Sequence, residues 1–173
     1  MQKQMTMTSR IFALLLAAVP ALAQKPTIQV TPWPAAGIVA PTAALCGFDI
    51  LAVPQAGRPN KEKLILFANG ETGIGSGALF LTLTNLNTGK SANVNIGGPF
   101  LLDFTEADKT TFVGLGHGLV AFPPAPLSVT SAAGLPAVPL LYGKTTFEVD
   151  PQGNILSIHD VHGTVQDACA LLQ

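Results

Sequence analysis

The side chains able to carry acid, base or metal chemistry are few. There are three histidines (His117, His159, His162), one tyrosine (Tyr142) and ten carboxylates. In an extended segment the two-residue period puts Asp160 and His162 on one face and His159 on the other. Asp160 and His162 therefore read either as an acid/base pair, or two ligands of one ion, or as the plain polar end of a strand ahead of Gly163. A catalytic metal site needs three convergent ligands and an open position. His159 joins the other two only through a bulge, so neither a metal nor a cofactor is expected.

His117 alternates with Val113, Leu115 and Leu119, which makes it a satisfied core histidine or the polar group of an apolar pocket. Tyr142 and Trp33, the one tryptophan, line a cavity or plug it. Asp103, Glu106 and Asp108 surround a turn, and Glu148 and Asp150 precede another. Both groups read as solvated charges rather than a glycosidase pair, which needs two carboxylates across a cleft. The glycine-rich stretch 69–77 lacks the Gly-Lys-Ser/Thr ending of a phosphate loop, and no serine sits in a Gly-x-Ser-x-Gly elbow.

Elements that position these residues follow from turn chemistry and alternation. Turn residues recur at short intervals and helical periodicity is scarce, so the expected fold is an antiparallel β-barrel or sandwich of about eight strands. The strands are expected over residues 46–53, 63–68, 77–85, 91–96, 100–104, 110–122, 137–150 and 155–165. Asn87-Thr88-Gly89, Glu106-Ala107-Asp108-Lys109 and Asp150-Pro151-Gln152-Gly153-Asn154 supply turns. Leu79, Leu81 and Leu83 alternate with Phe80, Thr82 and Thr84, and Val94 and Ile96 with Asn93 and Asn95, so each strand has one buried face. Gly114, Gly116 and Gly118 share one face of their strand. That face reads as a barrel corner, a closely packed layer or a ligand wall. The Pro, Ala and Ser-rich segment 123–139 is expected to be a loop covering one end of the sheet. A short C-terminal helix is expected from Val165, with Thr164 as its N-cap and Asp167 at the favourable end of its dipole.

Residues 1–23 read as a signal peptide: Lys3 and Arg10 precede an apolar run, and Ala21-Leu22-Ala23 forms the cleavage pattern. Cleavage there leaves 150 residues: a Pro/Ala-rich N-terminal arm or edge strand over 24–45, in which Thr27 to Val30 read as a short extended piece, and a β-domain over 46–173. No segment of the mature chain has the roughly 20 uninterrupted apolar residues of a membrane span. The expected location is extracellular, and in an oxidising compartment Cys46 and Cys169 are expected to form a disulfide. Charged residues make up 11% of the chain, against about 25% in ordinary soluble domains. The mature net charge of −3 disfavours nucleic acid and anionic membranes as partners.

Cys46-Gly47-Phe48, Leu83-Thr84-Asn85, Asn87-Thr88-Gly89-Lys90-Ser91, Asn95-Ile96-Gly97-Gly98-Pro99 and the run from Gly163 through Gln166-Asp167-Ala168-Cys169 to Leu172 resemble a family of small secreted proteins of actinobacteria and filamentous fungi. The resemblance implies a single cystine-closed β-domain and carries no activity or catalytic residue.

The leading functional expectation is a secreted, non-catalytic domain that binds a small apolar molecule or an external surface. One alternative is a cofactor-independent cyclase or isomerase, dirigent-like or lipocalin-like, acting on a hydrophobic intermediate of secondary metabolism by orientation and one or two polar groups. His117, Tyr142, Asp160 and His162 are its candidate residues. Another alternative is a secreted host-interacting protein. The sequence sets no oligomeric state.

Overall fold

The computed structural model describes residues 25–119 and 124–173. The expected leader over residues 1–23 lies outside them, as does the end of the strand expected over 110–122. Among the described residues, eleven strands and three short helices follow one another: β1 (Thr27–Pro32), β2 (Ile38–Ala40), α1 (Ala43–Cys46), β3 (Ile50–Pro54), β4 (Asn60–Leu66), β5 (Thr72–Asn85), β6 (Ser91–Asn95), β7 (Pro99–Asp103), β8 (Thr110–Gly114), β9 (His117–Leu119), α2 (Leu127–Ala132), β10 (Pro139–Val149), β11 (Ile155–Asp167) and α3 (Ala168–Leu172).

All the pairings are antiparallel and join the strands into one sheet with the order β1-β4-β5-β7-β8-β10-β11. The sheet is not closed into a barrel. Strand β5 serves two neighbourhoods. Its first half pairs with β4 and β7, and its second half with β3 and β6. Three strands exceed the expected number for identifiable reasons. Residues 24–45 supply β1 and β2, which pair with β4 and β3. The strand expected over 110–122 breaks at Leu115–Gly116 into β8 and β9, which both pair with β10.

The predicted alternation in β5 is realised. Leu81 and Leu83 are fully buried, while Thr82 and Thr84 face outward and hydrogen-bond Asn93 and Ser91 on β6 at 2.8 and 2.9 Å. The main core joins Ile50 and Ala52 of β3, Leu81 and Leu83 of β5, Val94 of β6, Leu140 of β10, and Leu172 of α3. Asn85 is buried in it with its amide satisfied. Nδ2 donates to the Leu172 carbonyl at 3.0 Å, and Oδ1 accepts from the backbone of Asn87 and Thr88, so the β5–β6 turn is tied to the chain end. A second cluster lies where Ala125 and Val129 pack against Leu141, Ile155 and Ile158. There the segment expected as a plain loop forms α2.

The disulfide expected between Cys46 and Cys169 is present and joins the end of α1 to α3. Cys46, expected to open a strand, closes α1 instead; Gly47 follows at φ +80° and its N–H reaches the Ala43 carbonyl, a common helix stop. The C-terminal helix starts later than expected. Strand pairing to β10 holds residues through Asp167, whose carboxylate then caps α3 by accepting from Cys169 N, so Asp167 and not Thr164 is the N-cap.

Candidate functional site

Where β5, β7, β8 and β10 lie side by side, the register brings one apolar face together. Phe100 pairs with Gly114, Phe112 with Phe147, and Gly75 with Phe100. The three phenylalanines form a row: Phe112 stacks on Phe147 at 5.3 Å between ring centroids and lies tilted to Phe100 at 6.0 Å. Beside this row is a recess of about 200 Å³, walled by Phe100, Phe112, Phe147, Leu79, Leu141 and Gly114.

Glycines make much of the rest of the wall, and they do two different jobs. At Gly98 a Cβ would stand 2.7 Å from the Gly116 Cα, and at Gly97 one would stand 2.5 Å from the Gly77 carbonyl oxygen. Backbone lies against backbone here, and no larger residue fits at Gly97, Gly98 or Gly116. Gly114 differs, because a Cβ there would meet only the Thr145 oxygen at 3.7 Å, an ordinary contact. Nothing lies within 4 Å of such a Cβ at Gly118. The packed-layer and ligand-wall readings of the glycine face thus each fit different glycines of the same segment.

Among the described residues, two ionisable side chains line the recess, Glu62 from β4 and His117 from β9. The touching glycines 77, 97, 98 and 116 run between them, since Glu62 pairs with Gly77 and His117 follows Gly116. His117 is exposed rather than a core histidine, and it meets the Tyr142 ring edge-on at 5.1 Å. Tyr142 is partly buried against the main core, its hydroxyl donates to Gln166 Oε1 at 3.4 Å, and burial pushes its pKa up. Glu62 is exposed to water, yet desolvation by its apolar neighbours holds its carboxyl above the ordinary Glu value, and among the described residues no hydrogen bond or ion pair to it is seen.

Asp160 and His162 stand outside the lining. The β10–β11 register slips between Lys144 and Thr146, and Asp160 takes φ +51° in the slip. Its carboxylate accepts from Thr146 Oγ1 at 3.5 Å, while His159 and His162 are exposed. His117 and Tyr142 are therefore together, and Asp160 and His162 are not with them. Among the described residues, no three His, Cys, Asp or Glu side chains are grouped to hold a metal ion.

Glu148 is more engaged than a free loop charge. Lys109 donates to it at 2.7 Å and Ser157 at 2.9 Å, which lowers its pKa, and Lys109 also pairs with Glu106. Asp150 accepts from the Asn154 side chain and from turn amides, and Asp103 from Thr105 N; both carboxyls are held low in consequence.

Reasoning from sequence missed Glu62 because it began that strand at Lys63. Extended by one residue, the period of two places Glu62 with Leu64 and Leu66, an acid on an apolar face. That is the signal that marks it.

No family model matches the chain, and the comparisons with curated proteins and with solved structures likewise return no match.

Proposed function

We propose that this chain is a secreted, cystine-closed β-domain that holds a small apolar molecule in the recess beside Phe100, Phe112 and Phe147. The observation that carries the proposal is the difference among the glycines. Gly97, Gly98 and Gly116 are needed for packing, whereas Gly114 leaves open a space that a side chain could occupy. A row of aromatic rings next to unfilled space, with few polar groups, is the usual composition of a small-molecule site. Two ionisable groups in the lining, separated by glycine backbone, favour holding a ligand over transforming one. Extracellular residence rests on the leader pattern of residues 1–23, and the disulfide is compatible with it. Among the described residues no helix is long and apolar enough to cross a membrane.

The test is a fluorescence titration with the neutral probe N-phenyl-1-naphthylamine. Saturable enhancement at one site per chain, competed by apolar ligands, supports the proposal. Absence of saturable binding of any apolar ligand class overturns it.

A second reading, attachment to an external apolar surface, is favoured by the opposite face of the sheet. There Ile28, Ile65, Ile74, Leu101 and Val113 are successive cross-strand partners over five strands. Ile28, Ile74 and Leu101 remain exposed, and singly scattered apolar residues do not form such a row. Adsorption to an alkyl-coated surface, and its loss in a Leu101→Lys variant, is the measurement for that reading.

A further inference from the structure

We infer that Glu62 makes the recess selective for cationic ligands: the molecule it holds has an aromatic or alkyl body and a protonated amine or quaternary ammonium group at one end. This rests on the recess being the binding site and adds the ligand's charge and orientation to it.

Among the described residues Glu62 is the one acidic side chain in the lining, at the β4 end of the run of glycines. It also lines a neighbouring hollow with Trp33, Pro34, Ile38 and Leu79, so an indole ring and a carboxylate border the same space. That pairing is the usual means by which proteins recognise an alkylammonium: the ring face attracts the cation and the carboxylate neutralises it. Lys61 and Lys63 belong to the opposite face of β4, because side chains alternate, and so neither is placed to neutralise Glu62 from its own strand. On the neighbouring strands its paired residues are Thr31 and Gly77, both uncharged. His117, the other ionisable group of the lining, is beyond the glycines and against Tyr142.

Among the described residues the Glu62 carboxylate has no hydrogen bond or ion pair, and although it is exposed, its partial desolvation by the apolar wall disfavours its charged form. A cation brought in by a ligand removes that penalty. An anionic ligand would add to it, and a neutral one would leave it unchanged. Ligand preference therefore follows charge at constant shape.

Three probes share one apolar body and differ in charge: 1-naphthylmethylamine, 1-naphthalenemethanol and 1-naphthoic acid. Calorimetric titration of the full mature chain is expected to give the order amine, alcohol, acid. The amine should bind about fivefold above the alcohol, the worth of an ion pair to an exposed carboxylate. Glu62→Gln should abolish that preference, and a cooperative circular dichroism melt shows that the variant is folded. If the wild type binds alcohol and amine equally, or if Glu62→Gln keeps the preference, the inference about Glu62 is wrong and the recess proposal stands. If none of the three probes binds, the recess proposal fails and the inference falls with it.

Discussion

Replacing Gly114 by valine separates a site from a packing gap. The added Cβ meets only the Thr145 oxygen at 3.7 Å, and the residue has no positive φ, so the backbone accepts a side chain. Valine also suits a strand, and removing a glycine restricts the unfolded chain, a gain of about 0.4–1 kcal/mol where the native conformation is compatible. The fold should therefore melt at the same temperature or slightly higher. Binding should suffer instead, because three carbons now stand in a recess of about 200 Å³. If they displace as many ligand carbons, at about 0.8 kcal/mol each, affinity falls by about 2.4 kcal/mol, or roughly fifty-fold. The assay is calorimetric titration of 1-naphthalenemethanol, with thermal unfolding of the same samples. Gly116→Val is the contrasting variant. A Cβ there lies 2.7 Å from the Gly98 Cα, so the melting temperature should drop sharply. If Gly114→Val stays folded and binds as the wild type does, the ligand is elsewhere. If it unfolds like Gly116→Val, the distinction between the glycines is mistaken.

Three further outcomes follow from the same geometry. Removing the disulfide with Cys46→Ala and Cys169→Ala opens a closure spanning 123 positions, for which the chain-entropy estimate has an upper figure of about 4.7 kcal/mol. Calorimetry should show melting about 10 °C lower, and an unchanged melting temperature would contradict the role given to the bond. Glu148, Asp150 and Asp103 have lowered pKa values in the fold, so the stability they contribute is complete above their unfolded values of 4.5 and 3.8 and is lost as pH falls through the folded ones. Circular dichroism melts between pH 6 and pH 2, a range of about that span, should show this decline, and Glu148→Gln should make it shallower; an identical slope would refute it. Glu62 acts with the opposite sign. Its carboxyl is held above 4.5, so ionisation costs more in the fold, and Glu62→Gln should raise stability at neutral pH but not in acid.

Several parts of this structure were legible in the sequence because short-range rules govern them. The alternation of Leu79, Leu81 and Leu83 against threonines stated which face of β5 is buried, and the two cysteines defined their own bond. The turns at Asn87-Thr88-Gly89 and at Asp150 to Asn154 formed where glycine or asparagine permits them. Other features depend on partners distant in sequence. The extended piece legible at residues 27–30 is exposed throughout, and what settles it as a strand to residue 32 is the edge that β4 offers. Residues 165–167 carry helix-forming neighbours, yet pairing with Pro139 to Leu141 keeps them extended. The break after Gly114 comes where Gly116 meets Gly98, a contact that alternation in one strand cannot contain. His117 was read from an unbroken strand, and that break is why it lies exposed beside Tyr142 instead of in the core.

The most direct measurement of the central claim is a titration of isotope-labelled protein with 1-naphthalenemethanol, followed by amide chemical shifts. Glycine amides are well placed for this, because several glycines lie in the wall of the recess. The account predicts saturable shifts at Gly98, Gly114, Gly116 and Gly118, with none at Ile74 or Leu101 on the opposite face. Shifts confined to Ile74 and Leu101, or no saturable shifts at all, would contradict it.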